Sequence, residues 1–563
     1  MKKKILISVV VGLIALLIIL GIAISYKIKK DKENEVYVWR SKYIWFDEGN
    51  MTVVNDPKEI REGYKNRENA NTWASFRKTF VIENKRDIKN VLARIVVDSK
   101  YWLYINDALV IKDGAVKRGE TPISTYYDEV DITPYLTEGE NTISILVWYF
   151  GRTGFSHVDS THGALLFETK IGNEYIVSDD TWKCIQNPAF LKDDVVNNSR
   201  LSESGIYYDA RLEIKDWYKK DFDDSSWKNA RIYGGAGDYP WGALYERDIP
   251  QYKFGELTEY VNFEKYRNYT TKEDELIELE LPYNMQIIPY LKVEAEEGKE
   301  IIISLDSNYT EKGKMYKIRY ITKEGIQEFE SYGWLNSEKM YYFIPKGVKI
   351  ISLGYIPTGY NTEMVGSFEC NDEFYNTLWD MAARTLYLNM RDTYMDCPDR
   401  ERALWWGDAS ISMKQSMYVF DDNANALYDK CIDMLIGWKY EDVLLTVVPP
   451  ERTPMQLPVQ MLLSVSEMYN YYMYTGDITF LEKVYPHAKS YIELWQMSDQ
   501  DGLMKLTNFH ALWPWGDSVR RSWLYCSRKY VVLLCANISV QNGRNIRIWR
   551  RYYWFKRTSW YCK

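Results

Sequence analysis

The chain has 563 residues, too many for one hydrophobic core, so three or four domains are expected. Its net charge of −8 speaks against a nucleic-acid binder. The seven cysteines are far apart with no C-x-x-C pair, and there are only four histidines, which argues against a zinc site; no metal or cofactor is called for. Aromatic residues reach 15%, which suits all-β modules and sugar-binding surfaces, although packing accounts for most such rings.

At the N-terminus Lys2, Lys3 and Lys4 precede 21 uncharged residues, Ile5 to Ser25. As a helix this stretch spans roughly 30 Å of hydrocarbon. Residues 1–35 therefore read as an uncleaved transmembrane anchor with a charged stalk. The expected location is the cell membrane, single-pass, with the bulk of the chain extracellular. A cleaved signal and a secreted protein form the alternative. Lys27, Lys29, Lys30 and Lys32 make the far flank basic too, so charge leaves the orientation open.

Residues 36–250 read as a β-sandwich. Partial alternation marks Phe76–Phe80 and Ala93–Asp98, and Thr142–Trp148 is a buried-strand run. His157 and His162 in this region read as surface or loop histidines rather than a metal pair. A second β-sandwich is expected over 255–365, with its clearest strands at 291–295, 301–305 and 348–353. Near residue 366 the period changes from 2 to 3.6. Asn371 is a plausible N-cap, with Asp372 and Glu373 in the first turn. Phe374, Leu378, Met381, Ala382 and Leu386 follow at helical spacing. A further helix is expected from Leu457 to Tyr474, stopped by Gly476, and another follows at once through Phe480, Leu481, Val484 and Tyr491. Helices joined by tight turns are αα-hairpins, which in series close an α/α toroid.

The segment Asp396-Cys-Pro-Asp-Arg-Glu-Arg-Ala-Leu-Trp-Trp-Gly-Asp408 carries four carboxylates, two arginines and two tryptophans. Carboxylates beside indole are what hydrolysis of a sugar acetal needs: one acid kept protonated, others ionised, and aromatic faces for the ring. Pro398 forbids helix continuation. A helix between Glu401 and Asp408 would put both on one face, and Asp408 can cap a helix starting at Ala409. Glu401, between two arginines that cannot both pair with it, is the candidate general acid, with Asp396 and Asp408 converging on it. Spacing alone serves a structural ion-pair cluster equally well.

This segment resembles the signature of bacterial α-L-rhamnosidases, inverting glycoside hydrolases with an (α/α)6 barrel. The family pattern D-C-P-x-R-E, Trp, G-D is matched by Asp396-Cys397-Pro398, Arg400-Glu401, Trp405 and Gly407-Asp408. Residues 319–325, 329–334 and 354–360 look like the family's β-sandwich before the barrel, and 101–136 like its inserted sandwich. Together with the apolar N-terminal run, the resemblance leads to an expected multidomain architecture: an N-terminal transmembrane helix, two β-sandwich modules, then a partial six-hairpin barrel over 366–517. It implies that Glu401 is the acid, that Asp396 and Asp408 bind rhamnose hydroxyls and tune it, and that Arg400 supports them. Trp405 or Trp406 would pack on the sugar's methyl face. Trp513-Pro-Trp-Gly-Asp517 resembles a sugar-contacting stretch that includes Trp515 and Asp517, but Ser518 stands where a Trp is expected. The implied partners are a rhamnose-containing oligosaccharide or glycoside and, through the anchor, the membrane.

Residues 518–563 hold no Asp or Glu, eleven Lys and Arg, and three of the seven cysteines. This basic tail reads as a frameshift or truncation that removes the family's downstream general base. Two alternatives to an α-L-rhamnosidase follow: a non-catalytic, membrane-anchored carbohydrate-binding protein, and another α/α-barrel glycosidase.

Overall fold

The computed structural model describes residues 37–48, 69–115, 119–192, 201–305, 316–438, 449–450, 457–493, 495–497 and 504–506. The chain divides at Arg40/Ser41. On the N-terminal side, Tyr37 meets Trp39 edge to face at 5.2 Å. The architecture below is that of the unit beginning at Ser41.

Two sheets face each other first. One has seven strands, running Arg231–Gly235, Lys42–Trp45, Ala164–Ile171, Leu92–Asp98, Ser124–Asp131 and Ala243–Glu246, with Glu174–Val177 added to Ala164–Ile171. The other runs Lys228–Asn229, Lys183–Gln186, Thr72–Ile82, Gly139–Tyr149, Lys100–Ile105 and Ala108–Ala115. The strand Gly139–Tyr149 shows why its sequence lacks alternation. Ile143, Ile145, Val147 and Tyr149 enter the core shared by these two sheets. Leu146 and Trp148 enter a second core, on the opposite face. A strand buried on both sides reads as a continuous apolar run.

That second core is built mainly by a nine-stranded sheet. Its order is Ile206–Asp209, Lys317–Ile321, Glu300–Ser304, Leu335–Ile344, Glu275–Ala295, Lys349–Gly359 and Lys253–Phe254, with two further short strands on its flanks. Glu275–Ala295 is 21 residues long. Its first half pairs with Leu335–Ile344, and its second half with Lys349–Gly359 and Gly325–Glu330.

Among the described residues five α-helices follow: α1 (Glu373–Leu388), α2 (Trp406–Val419), α3 (Asn423–Gly437), α4 (Pro458–Thr475) and α5 (Ile478–Glu493). Asp372, not Asn371, caps α1, its side chain accepting from the Phe374 amide. Gly476 closes α4 at φ +72°, the left-handed conformation expected of it. Asp477 accepts from the Thr479 and Phe480 amides and so starts α5. Not all of the α1 stripe is core: Leu386 is buried, whereas Phe374, Leu378 and Met381 are exposed. The helices share a third core, which also takes in Val158 and Tyr360 from the β layers.

The expected fold class is corrected in two respects. The described chain is predominantly β with five helices, and among the described residues no helix is long and apolar enough to cross a membrane. The expected anchor, Ile5 to Ser25, lies outside the described residues, as does the tail from 518 to 563. Nor is the second β module a self-contained sandwich. It is one nine-stranded sheet that takes Ile206–Asp209 from the region assigned to the first module, pairing it in parallel with Lys317–Ile321. It also shares its core with Trp73, Trp102 and Trp148 of the middle sheet. The two histidines are likewise not at the surface. His157 and His162 are fully buried in the loop after Gly139–Tyr149, with Asp98 3.5 Å from His157 and Glu48 3.3 Å from His162.

Candidate active site

The candidate site lies on the connection between α1 and α2. This connection folds back on itself. The Asp396 amide donates to the Ala403 carbonyl at 2.8 Å, and the Ala403 amide donates to Asp396 Oδ1 at 3.0 Å. Residues 397–402 are thereby closed into a compact loop with Pro398 near its start. Glu401 sits on this loop and is 1% exposed. Its carboxylate accepts from the Trp405 indole Nε1 at 2.7 Å and lies 3.1 Å from Arg400 Nε. Arg400 is 63% exposed and also reaches Asp396 Oδ2 at 3.8 Å.

Three carboxyl groups share one field here. Burial pushes Asp396 up to about 6; the Ala403 amide opposes this and the charge on Glu401 adds to it. Asp408 is also raised, first by desolvation and then by Glu401, with Arg400 opposing. Burial, aided by the neighbouring Glu401 charge, thus lets Asp396 keep its proton into a range where isolated carboxyls have lost theirs.

The geometry differs from the sequence expectation at several points. No helix joins Glu401 to Asp408. The turn ends at residue 401, and α2 begins at Trp406 with Asp408 in its first turn rather than at its cap. The two arginines divide their roles: Arg400 faces Glu401, while Arg402 turns away and binds Glu203. Trp405 and Trp406 are not equivalent. Trp405 is half-buried and meets Phe155 edge to face at 5.6 Å. Trp406 is fully buried in the helical core, so it offers no face to a sugar. Trp515 and Asp517 lie outside the described residues.

Other residues enter that the motif did not single out. Burial raises the Asp399 carboxyl to about 6, with Arg402 opposing. Gln460, near the start of α4, accepts from the Gly407 amide at 3.0 Å, and a side chain at 407 would collide with it. Burial carries Glu467, further along α4, to about 7. The cation opposing it is Lys414, six residues beyond Asp408 on α2, so Glu467 belongs to the helical core. Of these only Asp399 had a signal in the sequence, its place inside the carboxylate-rich segment.

Two family models match the chain. Residues 363–525 match the bacterial alpha-L-rhamnosidase 6 hairpin glycosidase domain, and residues 122–252 match the alpha-L-rhamnosidase N-terminal domain. An alpha-L-rhamnosidase from Formosa agariphila is 23% identical over 77% of this chain and 48% of its own length. The chain spans about half the length of the curated relatives it matches. Among solved structures, a GH78 family rhamnosidase of Bacillus sp. GL1 has a TM-score of 0.70 at 15% identity, covering 90% of this chain and 76% of that one. A Streptomyces avermitilis alpha-L-rhamnosidase complexed with L-rhamnose has a TM-score of 0.64 at 18% identity, covering 84% of this chain and 47% of that one. At these identities the structural likeness speaks to the fold.

Proposed function

The chain belongs to the bacterial α-L-rhamnosidase family, and from that premise we propose that it is a glycoside hydrolase that releases terminal α-L-rhamnose by an inverting acid–base mechanism. One observation carries the assignment. Glu401 is a buried carboxyl held by the Trp405 indole and Arg400 and coupled to two further carboxyls of raised pKa. In this reading Glu401 donates its proton to the leaving oxygen as the glycosidic bond breaks and positive charge builds on the sugar ring. Asp396 and Asp408, on either side of Glu401 in the same segment, are placed to accept from the sugar's hydroxyls. Arg400, itself exposed to solvent, stabilises the carboxylate left behind. The half-buried ring of Trp405 supplies an apolar face for the sugar's methyl group. Rhamnose as the sugar is supported by the names of the relatives and by the L-rhamnose complex.

The direct test is release of rhamnose from p-nitrophenyl α-L-rhamnoside by the full chain, compared with Glu401→Gln. The expected result is hydrolysis that the substitution abolishes. Hydrolysis that survives Glu401→Gln removes Glu401 from the acid role.

A further inference from the structure

The residue after the candidate acid adopts a backbone conformation that bulky L-residues avoid. Arg402 has φ +53°, in the left-handed region, and is almost wholly buried. The contacts that hold it there come mostly from other parts of the fold. Its Nη1 meets Glu203 Oε2 at 2.5 Å, and its Nη2 donates to the Trp334 carbonyl at 3.1 Å. Its Nε donates to the Pro398 carbonyl at 2.9 Å. The guanidinium lies 3.5 Å from the centroid of the Trp334 ring. The clamp is itself braced. Lys100 Nζ lies 3.6 Å from Glu203 and 2.8 Å from Asp113, and Asp113 binds Arg391, which also lies over the Trp334 ring, at 4.5 Å. All five charged residues are at most 3% exposed. Lys100 and Asp113 come from the middle sheet, Trp334 from the turn that leads into Leu335–Ile344, and both arginines from the connection between α1 and α2.

Burying five charges is expensive, and the best-attested return on such a cluster is a fixed local arrangement rather than stability. We propose that Glu203 and Trp334, acting through Arg402, are positioning residues for Glu401. They lock the left-handed turn at 402, and that turn aims the Glu401 carboxylate at the Trp405 indole and Arg400 while Arg402 is drawn to the opposite side. The β layers thereby set the geometry of the candidate acid. This inference rests on the reading of Glu401 as the acid, but its geometric content can be measured without catalysis.

The test compares E203Q/R402A with E203Q/R402G in the full chain. Both variants remove the same ion pair and stacking contact. They differ in that glycine accepts a positive φ without strain, whereas alanine does not. The geometric readout is the ¹⁹F resonance of Trp405 in 5-fluorotryptophan-labelled protein, assigned by its loss in Trp405→Phe. The alanine variant is expected to displace or broaden that resonance, and the glycine variant to return it toward its original position. On p-nitrophenyl α-L-rhamnoside the alanine variant should lose on the order of a hundredfold in kcat with KM within about threefold, the scale expected of a small misplacement, and the glycine variant should recover part of that loss. An unchanged Trp405 resonance in a folded E203Q/R402A overturns the proposal, as does equal displacement in both variants. If the alanine variant does not fold, E203Q/R402K replaces it. Lysine keeps a charge at 402 but has neither the planar stack on Trp334 nor, with Glu203 neutralised, its ion pair, so an unmoved resonance in E203Q/R402K overturns the proposal equally. Absence of hydrolysis by the unmodified chain counts against the function proposed above and leaves the resonance comparison standing.

Discussion

Glu467 offers a measurement of how much a buried carboxyl shapes this molecule's stability. It lies on α4 and is 4% exposed. One oxygen accepts from Asn470 Nδ2 at 2.8 Å, and the other is buried without a hydrogen-bond partner. Burial carries its pKa from the ordinary 4.5 to about 7, against the opposing pull of Asn470, Lys414 and Tyr428. The folded state therefore keeps a proton that the unfolded chain releases between those two values. Stability from this group is complete below pH 4.5 and is lost as pH rises through 7. At about 1.4 kcal/mol per pH unit the window is worth up to about 3 kcal/mol. Glu120 is also raised to about 7, and Asp396, Asp399 and Asp433 to about 6, so they push in the same direction. The useful quantity is thus a difference. Glu467→Gln removes the ionisable group while retaining the acceptor for Asn470. Urea unfolding followed by helical circular dichroism should show the variant gaining on the unmodified chain by up to about 3 kcal/mol between pH 4.5 and 8. A difference that stays flat across that range refutes the reasoning, because it means that Glu467 titrates alike in the folded and unfolded chains.

Three further outcomes are expected. Trp405→Phe keeps a ring in place but removes the indole N–H that Glu401 accepts. A hydrogen bond to a charged group is worth about 1.5–3 kcal/mol, so kcat on p-nitrophenyl α-L-rhamnoside should fall roughly tenfold to a hundredfold. Arg77→Met should destabilise the β layers by about 3 kcal/mol, read by thermal unfolding, because the buried Arg77 guanidinium binds Asp224 at 2.9 Å and the carbonyls of Trp217 and Lys219. Gly366→Ala should cost about 1–3 kcal/mol in the same assay, since the new Cβ would lie 1.9 Å from the Tyr418 carbonyl oxygen, a backbone atom that moves only if the end of α2 moves.

Local signals in the sequence were legible where the physics is local. The strand Gly139–Tyr149 announces itself by apolar content, and α4 and α5 by a 3.6-residue period broken at Gly476. The layer a strand belongs to is not local information. Ile206–Asp209 looks like one more strand of the first module, and only its parallel pairing with Lys317–Ile321, more than a hundred residues later, assigns it to the second. The stripe on α1 has a similar difficulty. Spacing picks out Phe374, Leu378 and Met381, but spacing cannot say whether a neighbour covers them, and all three are exposed.

The site divides along the same line. Glu401, Asp396, Asp408, Arg400 and Trp405 fall within thirteen residues, and a loop closed by the Asp396–Ala403 pair brings them together. Telling Trp405 from Trp406 required the helix start. Moving the start of α2 from Ala409 to Trp406 places Trp406 on the helix and turns it into the core, because each residue advances the side chain by about 100°. The roles of the two arginines were further out of reach. Arg400 and Arg402 differ in the sequence only by which side of Glu401 they stand on. What separates them is a carboxylate 199 residues earlier and an indole 68 residues earlier, contacts that exist only once the sheets have formed. The motif therefore names the groups that act, while the β layers decide where they point. A fragment restricted to the helices would carry every residue of the motif and leave Arg402 without Glu203 and Trp334.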